Sequence, residues 1–202
     1  MASNADLVAA ITSDDFAERL PELANARDEH GVSALLLSLY HRRPEARDAL
    51  LAAGAEVGPL EAAALGDVER LRDADLSARG GDGFTPLHLA AFFGGAEAVR
   101  AILARGAGPD ADNDNPLKVH PLHSASAVGD HDSVRALLQA GANPNVHQQG
   151  GYTPLHTAAH NGDVALARLL LEHGADPGAT DESGTTPLDM AEDDEVRALL
   201  SR

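Results

Sequence analysis

The chain of 202 residues contains no cysteine and no tryptophan, and its aromatic residues are four phenylalanines and two tyrosines. The absence of cysteine excludes disulfides, thiolate metal sites and cysteine nucleophiles. Because large apolar side chains are so few, the core has to be built from alanine, leucine and valine. Such side chains suit thin layers of closely packed helices, so the composition favours a helical protein.

Positive charge is also scarce. The 32 carboxylates outnumber the 15 basic side chains, the net charge is −17, and Lys118 is the only lysine. A surface that follows phosphates needs clustered lysine and arginine, so we expect no nucleic-acid partner. The acidity has two remaining interpretations, a solvated surface that keeps the chain soluble or a preference for basic partners.

Long apolar runs are absent too. The first 16 residues lack the basic segment and apolar stretch of a signal peptide or anchor. No stretch reaches the roughly 20 apolar residues that a bilayer span requires. We therefore expect a soluble, cytoplasmic protein with no membrane partner.

The chain does contain internal repeats. A Pro-Leu motif occurs at 85–88, 120–123, 153–156 and 186–189, with spacings of 35, 33 and 33 residues. Gly-Ala pairs stand at 54–55, 106–107, 141–142 and 174–175. The glycine follows the first motif residue by 21 residues in three copies, and counting 21 residues back from Gly54 reaches Ser33. Two markers that keep one phase indicate a repeat array.

Each repeat has residues that begin and end helices. Threonine, whose hydroxyl can cap a helix, and proline, suited to the first helical position, stand at 85–86, 153–154 and 186–187. Apolar residues then recur at helical spacing. A second helix ends at Gly106, Gly141 or Gly174, where glycine favours the left-handed conformation. The pattern predicts helix, turn, helix and loop in every unit.

Residues 151–184 resemble the ankyrin repeat family almost from end to end, and strong matches to the pattern cover 83–202. The resemblance implies an all-α solenoid of stacked helix-turn-helix units with β-hairpin or loop fingers. We predict a single domain, 1–202, of six to seven units. These are an N-terminal cap (4–25), a divergent repeat (31–55), a short repeat with a truncated second helix (57–78), three full repeats (83–111, 118–149, 151–182) and a C-terminal cap (184–202).

Candidate catalytic and metal-binding groups have structural explanations. His88, His123 and His156 occupy one position in successive units. The resemblance implies that they hydrogen-bond neighbouring loops, and helices about 8–10 Å apart cannot share one ion through them. The acidic loop 110–116 lacks the glycine and glutamate of a calcium-binding loop. Phosphate loops, nucleophile elbows and zinc-protease motifs are absent, so we expect no enzyme, metal or cofactor.

The aromatic residues are the candidate binding site. In ankyrin-like arrays the residue before the Thr-Pro motif lies on a finger, and the two residues after the alanine pair end the inner helix on the concave face. Phe84 and Tyr152 hold the finger position. The helix-end positions are held by Phe92 with Phe93, Tyr40 with His41, and His160 with Asn161. The alternative is that Phe92 and Phe93 pack against the next repeat.

These positions predict a non-enzymatic, monomeric module that binds a protein or peptide on its concave face. Aromatic residues dominate interface energetics, so Phe84, Phe92, Phe93 and Tyr152 are the predicted anchors. The acidic finger steers basic residues through Asp110, Asp112 and Asp114, and polar contacts come from Gln148, Gln149, His160 and Asn161. Two alternatives stay open: a self-associating structural protein, and a groove that binds a small molecule or metal.

Overall fold

The structure is a computed structural model that describes residues 3–13, 16–111 and 117–201. The described residues form helices and loops without a strand, and one isolated antiparallel bridge joins Arg27 and Ser33. Two short 3₁₀ helices, Phe16–Arg19 and Gln149–Gly151, and a π-helical turn, Ala90–Gly94, accompany the α-helices. These are α1 (Asn4–Thr12), α2 (Leu20–Leu23), α3 (Ala34–Tyr40), α4 (Pro44–Ala52), α5 (Pro59–Leu65), α6 (Val68–Leu71), α7 (Pro86–Leu89), α8 (Gly95–Ala104), α9 (Pro121–Val128), α10 (His131–Gln139), α11 (Pro154–His160), α12 (Val164–Glu172), α13 (Pro187–Met190) and α14 (Asp194–Leu200).

The helices form two layers. From α3 onward they pair as inner and outer helix of one unit, and inner helices pack on inner ones while α8 packs on α6 and α10. Proline stands at the first or second position of each inner helix from α5 to α13. The largest fully buried side chains are leucines and two isoleucines. The prediction of stacked helix-turn-helix units with an aliphatic core is confirmed.

The helix caps differ in one detail from the sequence-based expectation. The hydroxyl of Thr186 accepts from the backbone N–H of Asp189 at 3.2 Å, as a capping threonine should. The hydroxyls of Thr85 and Thr153 do not cap a backbone N–H but lie 2.8 and 2.9 Å from the Nδ1 atoms of His88 and His156. The expectation was wrong for these two, because each hydroxyl lies against the imidazole of the histidine three residues later and not against a backbone N–H.

The fingers are tight loops. One backbone N–H···O bond closes each of the four fully described ones: Asp28 to Val32 (3.0 Å), Gly80 to Phe84 (2.8 Å), Gln148 to Tyr152 (3.0 Å) and Asp181 to Thr185 (3.0 Å). We call these loops the first (28–32), second (80–84), fourth (148–152) and fifth (181–185) finger. The third lies within 107–120, partly outside the described residues. The first finger adds one more rung, from the N–H of Ala34 to the carbonyl of Ala26 (2.9 Å), which gives the bridge between Arg27 and Ser33. Ladders this short do not amount to a β-hairpin.

The short repeat has no finger. Only residues 53–58 separate α4 from α5, whereas residues 173–186 separate α12 from α13. The first and second fingers are therefore neighbours, although two pairs of helices, α3 to α6, lie between them in the sequence. Their approach is so close that a Cβ at Gly81 would overlap the carbonyl oxygen of His30. Between the first and second fingers the array therefore has two pairs of helices, where other neighbouring fingers are separated by one pair.

One helical stretch of the described chain, Pro86–Ala104, is long and apolar enough to span a membrane by length and composition alone. Its backbone turns at Gly95, where φ is 79° and ψ is 174°. Neither an α-helix nor a π-helix contains such a residue. The stretch is therefore the inner and outer helix of one repeat, and each packs on helices of neighbouring units.

Candidate functional site: the aromatic pocket

Four of the six aromatic side chains line one pocket of about 300 Å³. It lies at the inner helix of the first full repeat, between the second finger and the start of the next repeat. The rest of its lining is apolar or uncharged. We call it the aromatic pocket, and its lining residues are Tyr40, Phe84, His88, Leu89, Phe92, Phe93, Val119, His123, Ser124, Ala127 and Gln148.

Tyr40 forms one wall of the pocket although it belongs to the divergent repeat. Its hydroxyl donates to Oδ2 of Asp82 on the second finger at 2.7 Å. Its ring centroid lies 5.5 Å from that of Phe93. Burial, with the hydrogen bond to Asp82, raises the pKa of Tyr40 well above its usual value. Tyr40 can reach across because the short repeat contributes no finger.

The phenylalanine pair is divided between scaffold and surface. Phe92 is 39% exposed. Phe93 is half-buried, packs against the core, and meets the edge of Phe92 at a centroid distance of 4.7 Å. Phe84 is also half-buried, 5.4 Å from the ring of His88. Of the two alternatives for the pair, exposure therefore holds for Phe92, while Phe93 packs on Tyr40 of an earlier unit.

An unusual turn follows the phenylalanine pair. In three other units a left-handed glycine precedes an aspartate that caps the outer helix, at 66–67, 129–130 and 162–163. Here Gly94 has φ −81° and Gly95 has φ 79°. The N–H of Gly95 bonds the carbonyl of Ala90, and α8 has no side-chain cap. The turn thus lacks a stabilising interaction that its neighbours have.

Replacing Gly95 by aspartate should convert this turn to the form seen in the other units. The new carboxylate would cap α8, and we expect the free energy of unfolding to rise by about 0.5–2 kcal/mol. The phenylalanine rings should shift, which near-ultraviolet circular dichroism reports cleanly because the chain has no tryptophan. Gly108→Asp, which adds the same charge on an exposed loop, is the matched control. A loss of stability specific to Gly95→Asp would show that the turn cannot convert.

The three motif histidines tie each repeat to the next finger. Their Nδ1 atoms accept the backbone N–H of the residue three positions earlier, at 3.1–3.3 Å. Their Nε2 atoms donate to the carbonyls of Val119, Tyr152 and Thr185, at 2.8, 3.1 and 3.1 Å. Burial lowers the pKa of His88 and of His123 to about 4, so both imidazoles are neutral at physiological pH. These histidines act as structural links, as predicted.

Two family models match the chain. A model described as ankyrin repeats (3 copies) matches residues 60–147, and one described as ankyrin repeats (many copies) matches residues 137–191. The matches together cover more than half of the sequence. The chain belongs to the ankyrin repeat family. Ankyrin repeats generally act as protein–protein interaction modules and are typically non-enzymatic.

Five of the predicted site residues come together in this ankyrin array, and others do not. Tyr40, Phe84, Phe92, Phe93 and Gln148 line the aromatic pocket. The other described candidates lie outside its lining: Tyr152, whose ring packs on that of His156 at 5.8 Å, and Gln149, His160, Asn161 and Asp110. Asp112 and Asp114 lie outside the described residues.

Asp110 has a structural partner within the ankyrin array. Both of its carboxylate oxygens lie 3.0 Å from the backbone nitrogen of Asn143 in the next unit. Asn25 and Asn145 make the same contact to the backbone nitrogens of Glu56 and Asp176, at 2.7 Å. The carboxylate of Asp110 therefore holds consecutive loops together, and its steering of basic residues stays a prediction.

Sequence reasoning missed several residues of the site. Leu89, Val119 and Ala127 line the aromatic pocket, and Asp82 orients Tyr40 from outside it. The available signal was spacing: Ser33 and Thr85 are 52 residues apart, less than two units of 33. That deficit implies a lost finger and hence contact between units that are not consecutive.

The ankyrin fold does not bring metal-ligand side chains together in the part of the chain that the structure describes. No group of three or more His, Asp or Glu residues is placed there to hold an ion. One histidine–carboxylate pair is formed by Nε2 of His131 and Oδ2 of Asp163, which lie 2.7 Å apart in consecutive units. This pair joins the start of one outer helix to the cap of the next, since Asp163 also caps α12.

Proposed function

We propose that the protein is a monomeric, non-enzymatic module that captures another protein or an extended peptide on its concave face. The aromatic pocket is the anchoring site in this proposal. The observation that carries it is Phe92, a large apolar side chain left 39% exposed at the mouth of a preformed pocket. Side chains of this kind at a pocket mouth supply most of the binding energy at protein interfaces.

The side chains that form the pocket wall are held in place by contacts with their neighbours. Tyr40 is held by Asp82, and Phe93 is held between Tyr40 and Phe92. The two fingers that border the region are in direct contact at Gly81. Because these groups are ordered before binding, a partner loses little affinity to their ordering. A rigid wall beside one exposed ring suits recognition of a partner side chain.

Phe92→Asp should abolish capture of the partner and change the free energy of unfolding by less than about 1 kcal/mol. The measurement is affinity capture from a lysate of the source organism, together with chemical denaturation. Leu51→Asp is the matched control, because Leu51 is 36% exposed on the outer helix α4, away from the pocket. This variant should capture the same proteins as the wild type.

Two outcomes would contradict the proposal. A loss of several kcal/mol in Phe92→Asp would mean that Phe92 belongs to the core. Concentration-dependent dimerisation of the wild type in light scattering, abolished by Phe92→Asp, would make the pocket face a contact between copies of this chain.

A further inference from the structure

We infer that the segment captured at the aromatic pocket is extended, inserts one bulky uncharged apolar side chain into it, and has lysine or arginine on either side of that residue. This inference rests on the proposed function and specifies the chemistry of the partner. Three features of the described residues carry it: the uncharged pocket lining, the exposed apolar side chains near the pocket, and the charge of the fingers.

The pocket suits one apolar side chain. Its volume of about 300 Å³ lies at the lower end of the range for ligand sites, so it holds a single large side chain and little more. None of its lining residues is Lys, Arg, Asp or Glu. The imidazoles of His88 and His123 are neutral, because burial lowers the pKa of each to about 4. A charged side chain would therefore lose its hydration without gaining an opposite charge.

The apolar surface continues beyond the pocket. Large apolar side chains are exposed at four described positions, and three of these lie in this region. Phe92 is at the pocket itself, and Val128 (41% exposed) follows the lining residue Ala127. Leu117 (52% exposed) lines the neighbouring cleft, which shares Tyr40 as its wall. An extended segment can cover these side chains together with the pocket, whereas a small ligand that fills the pocket would leave Val128 and Leu117 exposed.

The flanking charge follows from the fingers. The described finger stretches 25–33, 76–85, 107–111, 117–120, 143–153 and 176–186 contain seven carboxylates and three lysine or arginine side chains, within a chain of net charge −17. The cleft next to the pocket is lined by the carboxylates of Asp28 and Asp82 together with Arg79. Negative potential of this extent attracts basic segments and repels acidic ones. The negative charge of the fingers therefore favours partners with lysine or arginine beside the apolar residue.

The test is selection from a library of short random peptides displayed on phage, with the full chain as bait. We expect enrichment of a tryptophan, phenylalanine or leucine with lysine or arginine within a few positions. Tryptophan peptides can be titrated by their own fluorescence, since the protein has no tryptophan. The emission should shift to the blue as the ring is buried. Affinity should fall about tenfold or more in Phe92→Asp and stay unchanged in Leu51→Asp.

The role of the basic flanks is tested by varying the ionic strength and the sequence of the selected peptides. Raising the ionic strength from about 0.05 M to about 0.5 M should weaken binding several-fold, because basic flanks act through screened charges. Replacing the flanking basic residues by glutamate should weaken it further. Peptides that need a cationic residue in the pocket, or that keep their affinity with acidic flanks, would overturn the inference. If lysate capture depends on Phe92 while no such motif is enriched, the inference fails and the proposed function stands.

Discussion

Replacing Leu87 by alanine should lower the free energy of unfolding by about 2–5 kcal/mol. Leu87 is 2% exposed in α7, whose turn of helix packs between α5 and α9. Removing its side chain leaves a cavity between two repeats, and a solenoid has no other part of the core to compensate. Chemical denaturation followed by circular dichroism measures the change.

Leu51→Ala is the control for this prediction, because it deletes the same atoms from a side chain that is 36% exposed. We expect its effect to stay within about 0.5 kcal/mol. If the two variants lose equal stability, the contact between α7 and its neighbours contributes little. Separate unfolding transitions in Leu87→Ala would show instead that the repeats on each side of the cavity unfold independently.

Acidification should destabilise the protein between about pH 6.5 and about pH 4 through His88 and His123. Both are buried neutral, with pKa values lowered to about 4, whereas an unfolded histidine titrates near 6.5. Above pH 6.5 neither state binds the proton, and the full stability is present. As the pH falls, the two histidines bind protons in the unfolded state but not in the folded state. The free energy of unfolding therefore decreases until the histidines are protonated in both states. Each pKa unit corresponds to about 1.4 kcal/mol.

The measurement is the free energy of unfolding as a function of pH, compared with His88→Gln/His123→Gln. The difference between the two proteins isolates the histidines from the relief of carboxylate repulsion, which acts in the opposite direction at low pH. The double variant should lose the part of the slope that the two histidines contribute in this window, whatever its absolute stability. His160→Gln, at an exposed position, should keep it. An unchanged slope in the double variant would mean that the two imidazoles are not held neutral.

The finger-free repeat connects the fold to the proposed binding site. In an array of identical units each inner helix faces only its neighbours. Losing one finger brings Tyr40 of the divergent repeat to Asp82 and Phe93, two units later in sequence. The turn at Gly94 and Gly95 lacks a helix cap in the unit that bears the exposed ring. Irregularities that reduce local stability are common at functional sites.

The sequence by itself determined the architecture of this protein. The phase of two markers identifies the repeats, proline and glycine mark the helix ends, and the recurrence of the histidines at one position gives them a structural explanation. These features act within a unit or between adjacent units, so a single period describes them. Tyr40, Phe84, Phe92 and Phe93 were also identified as candidates, since they occupy positions that the repeat leaves free.

Only the tertiary structure decided which of these residues meet and which stay exposed. Phe92 and Phe93 are identical in sequence terms, yet one is at the surface and the other packs on Tyr40. Asp110 was predicted to face a partner, and its carboxylate holds the backbone of Asn143. For Phe93 the reason is that a missing finger changes the relative position of units along the solenoid, whereas Asp110 makes a contact between consecutive loops that Asn25 and Asn145 also make. The shortened spacing indicates that units which are not consecutive meet, but which side chains come into contact depends on the relative position of the units in three dimensions.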